Sequence, residues 1–182
     1  GDWVAVHGCG GIGLSAVHIA DALGANVVAV DLMDEKLAKA EQLGATETVN
    51  ADDVENTPEA VRASTGGGAH VSVDALGIAE TCRNSVLSLG TRGQHLQIGL
   101  TTQDEEGMVA LPTDAMVMQE IKFIGSLGMP PTRYDEIFRM VATDTLDPAA
   151  VVSDTIALDG VNNKLEAMTD FGTVGIPVID SF

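Results

Sequence analysis

The sequence predicts an α/β fold, a doubly wound parallel sheet with helices on both faces. Three observations predict it. Short β-rich runs alternate with stretches of helical period over residues 1–148. The second run, Asn26 to Asp31, is apolar on both faces, as a buried parallel strand must be. A glycine-rich segment, Gly8-x-Gly10-x-x-Gly13, joins the first strand to the first helix.

Each element has its own justification. Trp3, Val4, Ala5, Val6 and His7 form the first strand. Ile12, Ala16, Ile19 and Leu23 recur at helical spacing up to Gly24. A helix over 34–43 is stopped by Gly44, and Glu47, Thr48 and Val49 make a weak strand. Thr57 reads as an N-cap with Pro58 at N1, and that helix ends in Gly66, Gly67 and Gly68. A strand over 70–74, a helix over 80–89 and a strand over 95–99 follow. Residues 101–112 read as a polar loop, 114–118 as a short helix, and Ile121, Lys122, Phe123 and Ile124 as the sixth strand. Tyr134, Ile137, Phe138 and Val141 then mark a helix. Six strands match the order 3-2-1-4-5-6. Residues 149–182 add a strand over 151–156, a helix over 161–168 and a strand over 176–179, surplus to that sheet. The expected division is therefore a nucleotide-binding domain at 1–148 and a C-terminal appendage at 149–182.

Composition narrows the function. Apolar residues make up 45% of the 182, enough for a real core. Nine basic against 27 acidic residues give a net charge of −18, which excludes binding through nucleic-acid phosphates or anionic lipid. Scattered carboxylates with only four lysines point to a halophilic protein, kept soluble where salt screens self-repulsion. Cys9 and Cys82 cannot make a disulfide framework, and no Cys/His spacing suits a metal. No apolar stretch approaches ~18 residues and no basic leader precedes the first strand, so a cytoplasmic protein without a membrane segment is expected.

The glycine motif carries the chemistry. It follows a strand, opens a helix, and has Asp31 at the end of the next strand. Gly8 permits the tight turn, Gly10 lets a pyrophosphate approach, and Gly13 lets the helix pack close to the strand. The N–H groups of Gly11 and Ile12 stand at the positive end of the helix dipole, ready for a diphosphate. Asp31 suits both hydroxyls of an adenosine ribose and repels the 2′-phosphate of NADP, so NAD is the expected cofactor. Lys36, one turn into the next helix, can reach the same ribose. A methyltransferase motif would need an acid at Val6 and a glycine at Ile12. A short-chain dehydrogenase would need Lys four residues after Tyr134, where Phe138 stands. His7, His18, His70 and His95 read as structural.

With these motifs in order, the chain resembles the C-terminal, cofactor-binding half of a zinc-dependent medium-chain alcohol dehydrogenase. The resemblance runs over the whole chain, through Val30-Asp31, Leu43-Gly44-Ala45-Thr46, Val73-Asp74-Ala75-Leu76-Gly77, Ile98-Gly99-Leu100 and Ile124-Gly125-Ser126-Leu127-Gly128. It implies a Rossmann fold and NAD. It places Leu76 beside the adenosine and Ile12 beside the nicotinamide, whose end Ile98, Gly99, Leu100, Gly125, Ser126 and Leu127 would hold through their backbones. Many members carry Lys or Arg near the pyrophosphate in the final strand, where Ile176 and Pro177 stand here. The zinc ligands and most of the substrate pocket would lie in an N-terminal catalytic domain missing from this chain, which alone is expected to be inactive. The parent would oxidise a small alcohol to a carbonyl compound, and its dimer would join at the Ile121 to Ile124 edge strand. The alternatives are a stand-alone nucleotide-binding or redox-sensing domain and an S-adenosylmethionine-dependent methyltransferase.

Overall fold

Apolar side chains on both faces of its central strands give this protein two cores, one above and one below a single sheet. In the computed structural model, which describes residues 1–128, 130–168 and 171–182, the strands are β1 (Trp3–His7), β2 (Asn26–Asp31), β3 (Glu47–Asn50), β4 (Ala69–Asp74), β5 (Leu89–Gln97) and β6 (Lys122–Gly125). All pair in parallel, in the order β3-β2-β1-β4-β5-β6. Val27 and Ala29 of β2 join Val6 and Val73 in a core with Leu14, Val17 and Leu37, from helices α1 (Gly11–Ala22) and α2 (Asp34–Gln42). Val28 and Val30 join Ala5 and Val49 on the opposite face, with Val61 of α3 (Thr57–Ser64). The alternation along β2 therefore serves two layers of helices.

The remaining elements are α4 (Ala79–Leu87), α5 (Thr113–Met118), α6 (Tyr134–Ala142) and α7 (Val161–Met168). Among the described residues, strands β7 (Val152–Ala157) and β8 (Ile176–Ser181) pair only with each other, in parallel. The C-terminal segment thus forms a small second sheet, anchored to the first by Val151 in the α1/α2 core and by His18 Nε2, which bonds Asp147 3.1 Å away. No helix among the described residues is long and apolar enough to cross a membrane.

Several boundaries differ from the sequence expectation. The N-cap of α3 is Asn56, not Thr57, and its side chain accepts from the Glu59 N–H at 3.2 Å. Helix α4 stops at Leu87, and Leu89 already belongs to β5 with its side chain fully buried. Strand β5 then runs through Gly90, Arg92 and Gly93, between the expected helix and the expected strand. Arg92 takes a left-handed φ of 63°, and the β4–β5 register shifts between Ala69 and Val71 to absorb it. Strand β5 ends at Gln97, because the N–H groups of Ile98 and Gly99 both donate to the Asp74 carbonyl and close the ladder.

One strip of the sheet is polar although buried. His7, Asp74 and Gln97 are register partners, as are Ser72 and His95, so the five share one face. Ser85 of α4 covers them, 3.0 Å from His95 Nδ1, and Phe123 stacks on the His95 ring at 4.4 Å. Burial, with a contribution from His95, pushes His7 from 6.5 down to about 3. A ring that stays neutral when folded but takes a proton near 6.5 when unfolded removes stability as pH falls from 6.5 towards 3. Between about pH 7.5 and about pH 5, wild type should lose roughly 2 kcal/mol more unfolding free energy than His7→Leu. Urea titrations at both pH values measure it, and equal losses would mean that His7 titrates normally.

Candidate functional site

The site begins where β1 turns into α1. Gly8 has a φ of 88° and donates its N–H to the Val30 carbonyl at 2.9 Å, which ties the turn to β2. Helix α1 then crosses so close that a Cβ on Gly13 would lie 1.7 Å from the Gly8 carbonyl oxygen. Gly10, the N-cap, has no side-chain cap, and the first turn contains no acid. A Cβ on Gly10 would meet nothing within 4 Å. Open space over an uncapped helix N-terminus is what an incoming anion needs.

Asp31 faces this loop from the end of β2. Its Oδ2 accepts the Cys9 N–H at 2.7 Å, and its Oδ1 accepts those of Leu32 and Met33 at 2.9 and 3.1 Å. Three backbone donors fix the carboxylate before any ligand arrives. Lys36 comes up from the first turn of α2, buried, with Nζ 3.9 Å from Asp31 Oδ1 and donating to the Phe171 carbonyl at 2.5 Å.

A cavity of about 340 Å³ opens beside these groups, and Gly8, Asp31, Lys36 and Leu76 all line it. Its apolar walls come from Leu32, Leu76 and Ile78, and Thr81 and Asn84 of α4 line it as well. Gly11, Ile12 and Gly13 continue from its rim into α1. The other expected residues lie apart from it. Gly125 pairs with Gln97, Ser126 donates its N–H to the Gln97 carbonyl at 3.0 Å, and Gly99 packs against Gly77. Ile98, Leu100 and Leu127 complete this second group at the ends of β5 and β6, where Leu100 and Leu127 are exposed. The structure thus divides the predicted residues between a walled cavity and an open shelf.

Sequence reasoning missed Asp74. Fully buried at the end of β4, it accepts the N–H groups of Leu76 and Gly77 at 3.0 Å and the Thr81 hydroxyl at 3.1 Å, all on Oδ1. Its Oδ2 accepts from Gln97 Nε2 at 2.8 Å. His95 Nε2 donates to Gln97 Oε1 at 3.0 Å, which leaves His95 Nδ1 to accept from Ser85. This chain of bonds sets the Leu76 wall. The signal was present: Asp74 ends its strand as Asp31 ends β2. Phe171 and His7 also line the cavity, and neither was singled out for it.

The cysteines are poor nucleophiles. Burial, and then the Asp31 charge, pushes the Cys9 thiol far above its usual value, and burial with Asp74 raises Cys82 to about 11. No group of three or more His, Cys, Asp or Glu among the described residues is arranged to hold a metal. A zinc ion does not fit the side chains described here.

Comparison with known proteins agrees with this geometry. The family model of zinc-binding dehydrogenases matches residues 11–143. An alcohol dehydrogenase of Geobacillus stearothermophilus is 37% identical over 130 residues, which cover 70% of this chain and 36% of that protein. An NAD-dependent alcohol dehydrogenase of Sulfurisphaera tokodaii is 28% identical over 171 residues, covering 93% of this chain and 48% of that protein. Among solved structures, the alcohol dehydrogenase of the hyperthermophilic archaeon Aeropyrum pernix superimposes with a TM-score of 0.84 at 28% identity, over 99% of this chain and 50% of that one. The chain therefore spans about half the length, or less, of these relatives.

The two glycines of the turn should separate folding from binding. Gly13→Ala places a methyl inside backbone and should lower both the unfolding temperature and dinucleotide affinity. Gly10→Ala meets only open space, so its unfolding temperature should match wild type while affinity falls by about tenfold or more. Differential scanning calorimetry with ligand titration checks the pair. Wild-type affinity in Gly10→Ala would show that no ligand passes over that residue.

Proposed function

This chain belongs to the zinc-binding dehydrogenase family, and we propose that it is the NAD-binding part of an alcohol dehydrogenase that transfers a hydride from a small alcohol to the cofactor. The observation that carries this reading is the fixed Asp31 carboxylate on a cavity that begins at the Gly8 turn. Bound NAD supplies the hydride acceptor. The protein's part is to hold and orient it. The N–H groups of Gly11 and Ile12, which the start of a helix leaves without an intrahelical partner, receive the diphosphate, and Asp31 and Lys36 receive the adenosine ribose. Leu76 covers the adenosine. Ile12 and the backbone groups of residues 98–100 and 125–127 hold the nicotinamide end. Exposed Leu100 and Leu127 leave that shelf open to an N-terminal catalytic domain outside this chain. The zinc and its ligands are assigned to that domain, so the chain alone does not oxidise alcohols. The dispersed charge of −18 supports a high-salt setting. Family membership removes the methyltransferase alternative. A stand-alone nucleotide-binding domain would share the cavity and differ only in lacking a catalytic partner.

Cofactor choice tests the reading. A carboxylate fixed by three N–H groups cannot turn away from a 2′-phosphate, so NAD should bind at least about tenfold more tightly than NADP. Asp31→Ser should erase that preference. Calorimetric titration in concentrated KCl measures both, and equal affinities in wild type would refute the assignment of Asp31 to the ribose.

The edge of the sheet supports a homodimer. Among the described residues strand β6 pairs only with β5, and Phe123 and Ile124 on it are 39% and 38% exposed. A two-fold axis beside such an edge makes strand pairing self-complementary. In concentrated KCl, light scattering should give a dimer for wild type and a monomer for Ile124→Asp, which sets like charges face to face. A dimer indifferent to that charge would place the interface elsewhere.

A further inference from the structure

Building on the NAD reading, we infer that Phe171, which lines the cavity and whose carbonyl fixes Lys36 beside Asp31, contacts the adenine with its ring. The C-terminal segment is thereby part of the adenosine site. Lys36 is the first observation. Its residue is only 6% exposed, and a buried ammonium needs a partner. The partner at bonding distance is the Phe171 carbonyl, 135 residues further along the chain, while Asp31 Oδ1 stands 3.9 Å away. What aims the lysine at the cavity is therefore the C-terminal segment, not its own helix.

Phe171 itself is the second observation. It lines the cavity, yet 53% of it stays exposed, so its ring is not consumed by a core. Its φ of 55° is a left-handed conformation that costs a non-glycine residue energy and persists only where contacts hold it. Leu32, Leu76 and Ile78 line the same cavity with aliphatic side chains. A half-exposed aromatic ring beside such apolar side chains suits a flat base.

The third observation lies five residues on. A Cβ on Gly11 would come within 2.8 Å of the Ile176 side chain and 3.4 Å of the Gly175 carbonyl. The start of β8 thus packs against the diphosphate loop. One stretch of chain touches both the ribose anchor and the loop, the two points that fix the adenosine half of a dinucleotide.

ADP-ribose, which lacks the nicotinamide, tests this on the full chain in concentrated KCl. Phe171→Ala should weaken it by about tenfold without lowering the unfolding temperature, because the ring is half exposed. Phe171→Trp should restore affinity, and the new indole should be quenched as ADP-ribose is added, a signal that a merely structural role would not produce. Asp31→Ala separates the two levels of the argument. If it abolishes ADP-ribose binding while Phe171→Ala binds as wild type does and the indole stays unquenched, the inference about Phe171 fails and the NAD reading stands. If wild type does not bind ADP-ribose, both fail.

Discussion

The contact between Gly13 and the Gly8 carbonyl holds this protein's site together, since at that separation no side chain fits between helix α1 and the turn. The consequences spread outward through short links. A helix seated that low sends its first N–H groups to the rim of the cavity rather than past it. The turn beneath it points the Cys9 N–H at Asp31, 2.7 Å away, so the loop that would receive a diphosphate also orients the carboxylate that would receive a ribose. The Gly8 N–H closes the circuit on Val30, one residue before Asp31. Moving any one of these groups moves the others. The site is preorganised because its parts are the same few backbone atoms.

Asp74 does for the far wall what the glycine contact does for the near one. A carboxylate with no exposure is costly unless its acceptor positions are filled, and here four donors reach it. Two of them are the N–H groups of Leu76 and Gly77, which shape the cavity wall. Gln97 extends the network to His95, whose ring Phe123 covers from the edge strand. Buried polar groups therefore run from the cavity towards β6. Burial keeps His7 neutral and shifts His95 in the same direction, so the strip adds no charge against Asp74. With both rings neutral the donor–acceptor order of the network is kept.

The legible parts of the sequence were those whose cause lies nearby. The glycine turn, Asp31 at the end of β2 and the two-faced strand are spaced within a few residues, and period and motif read them directly. The order of the six strands followed from the alternation. The start of β5 did not, because Gly90, Arg92 and Gly93 carry turn chemistry, and only pairing with β4 makes them a strand. The Asn56 cap was missed by one residue, since Asn and Thr both cap and nothing local chooses between them. The Lys36–Phe171 bond was out of reach, because no periodicity relates residues 135 positions apart.

The second sheet shows why that bond matters to the whole. Two strands alone are marginal in water, and among the described residues β7 and β8 have no other strand beside them. Their side chains are mostly exposed, so little burial within the pair offsets the entropy of ordering it. What orders the segment is its attachment: Val151 in the α1/α2 core, His18 on Asp147, Ile176 against Gly11 and Phe171 on Lys36. The last two attachments are made to the loop and the lysine assigned to the cofactor. A ligand that tightens either one also tightens the segment, and by linkage an ordered segment tightens the ligand. Two chemically separate tasks, the proposed holding of a nucleotide and the placing of the second sheet, therefore draw on the same contacts.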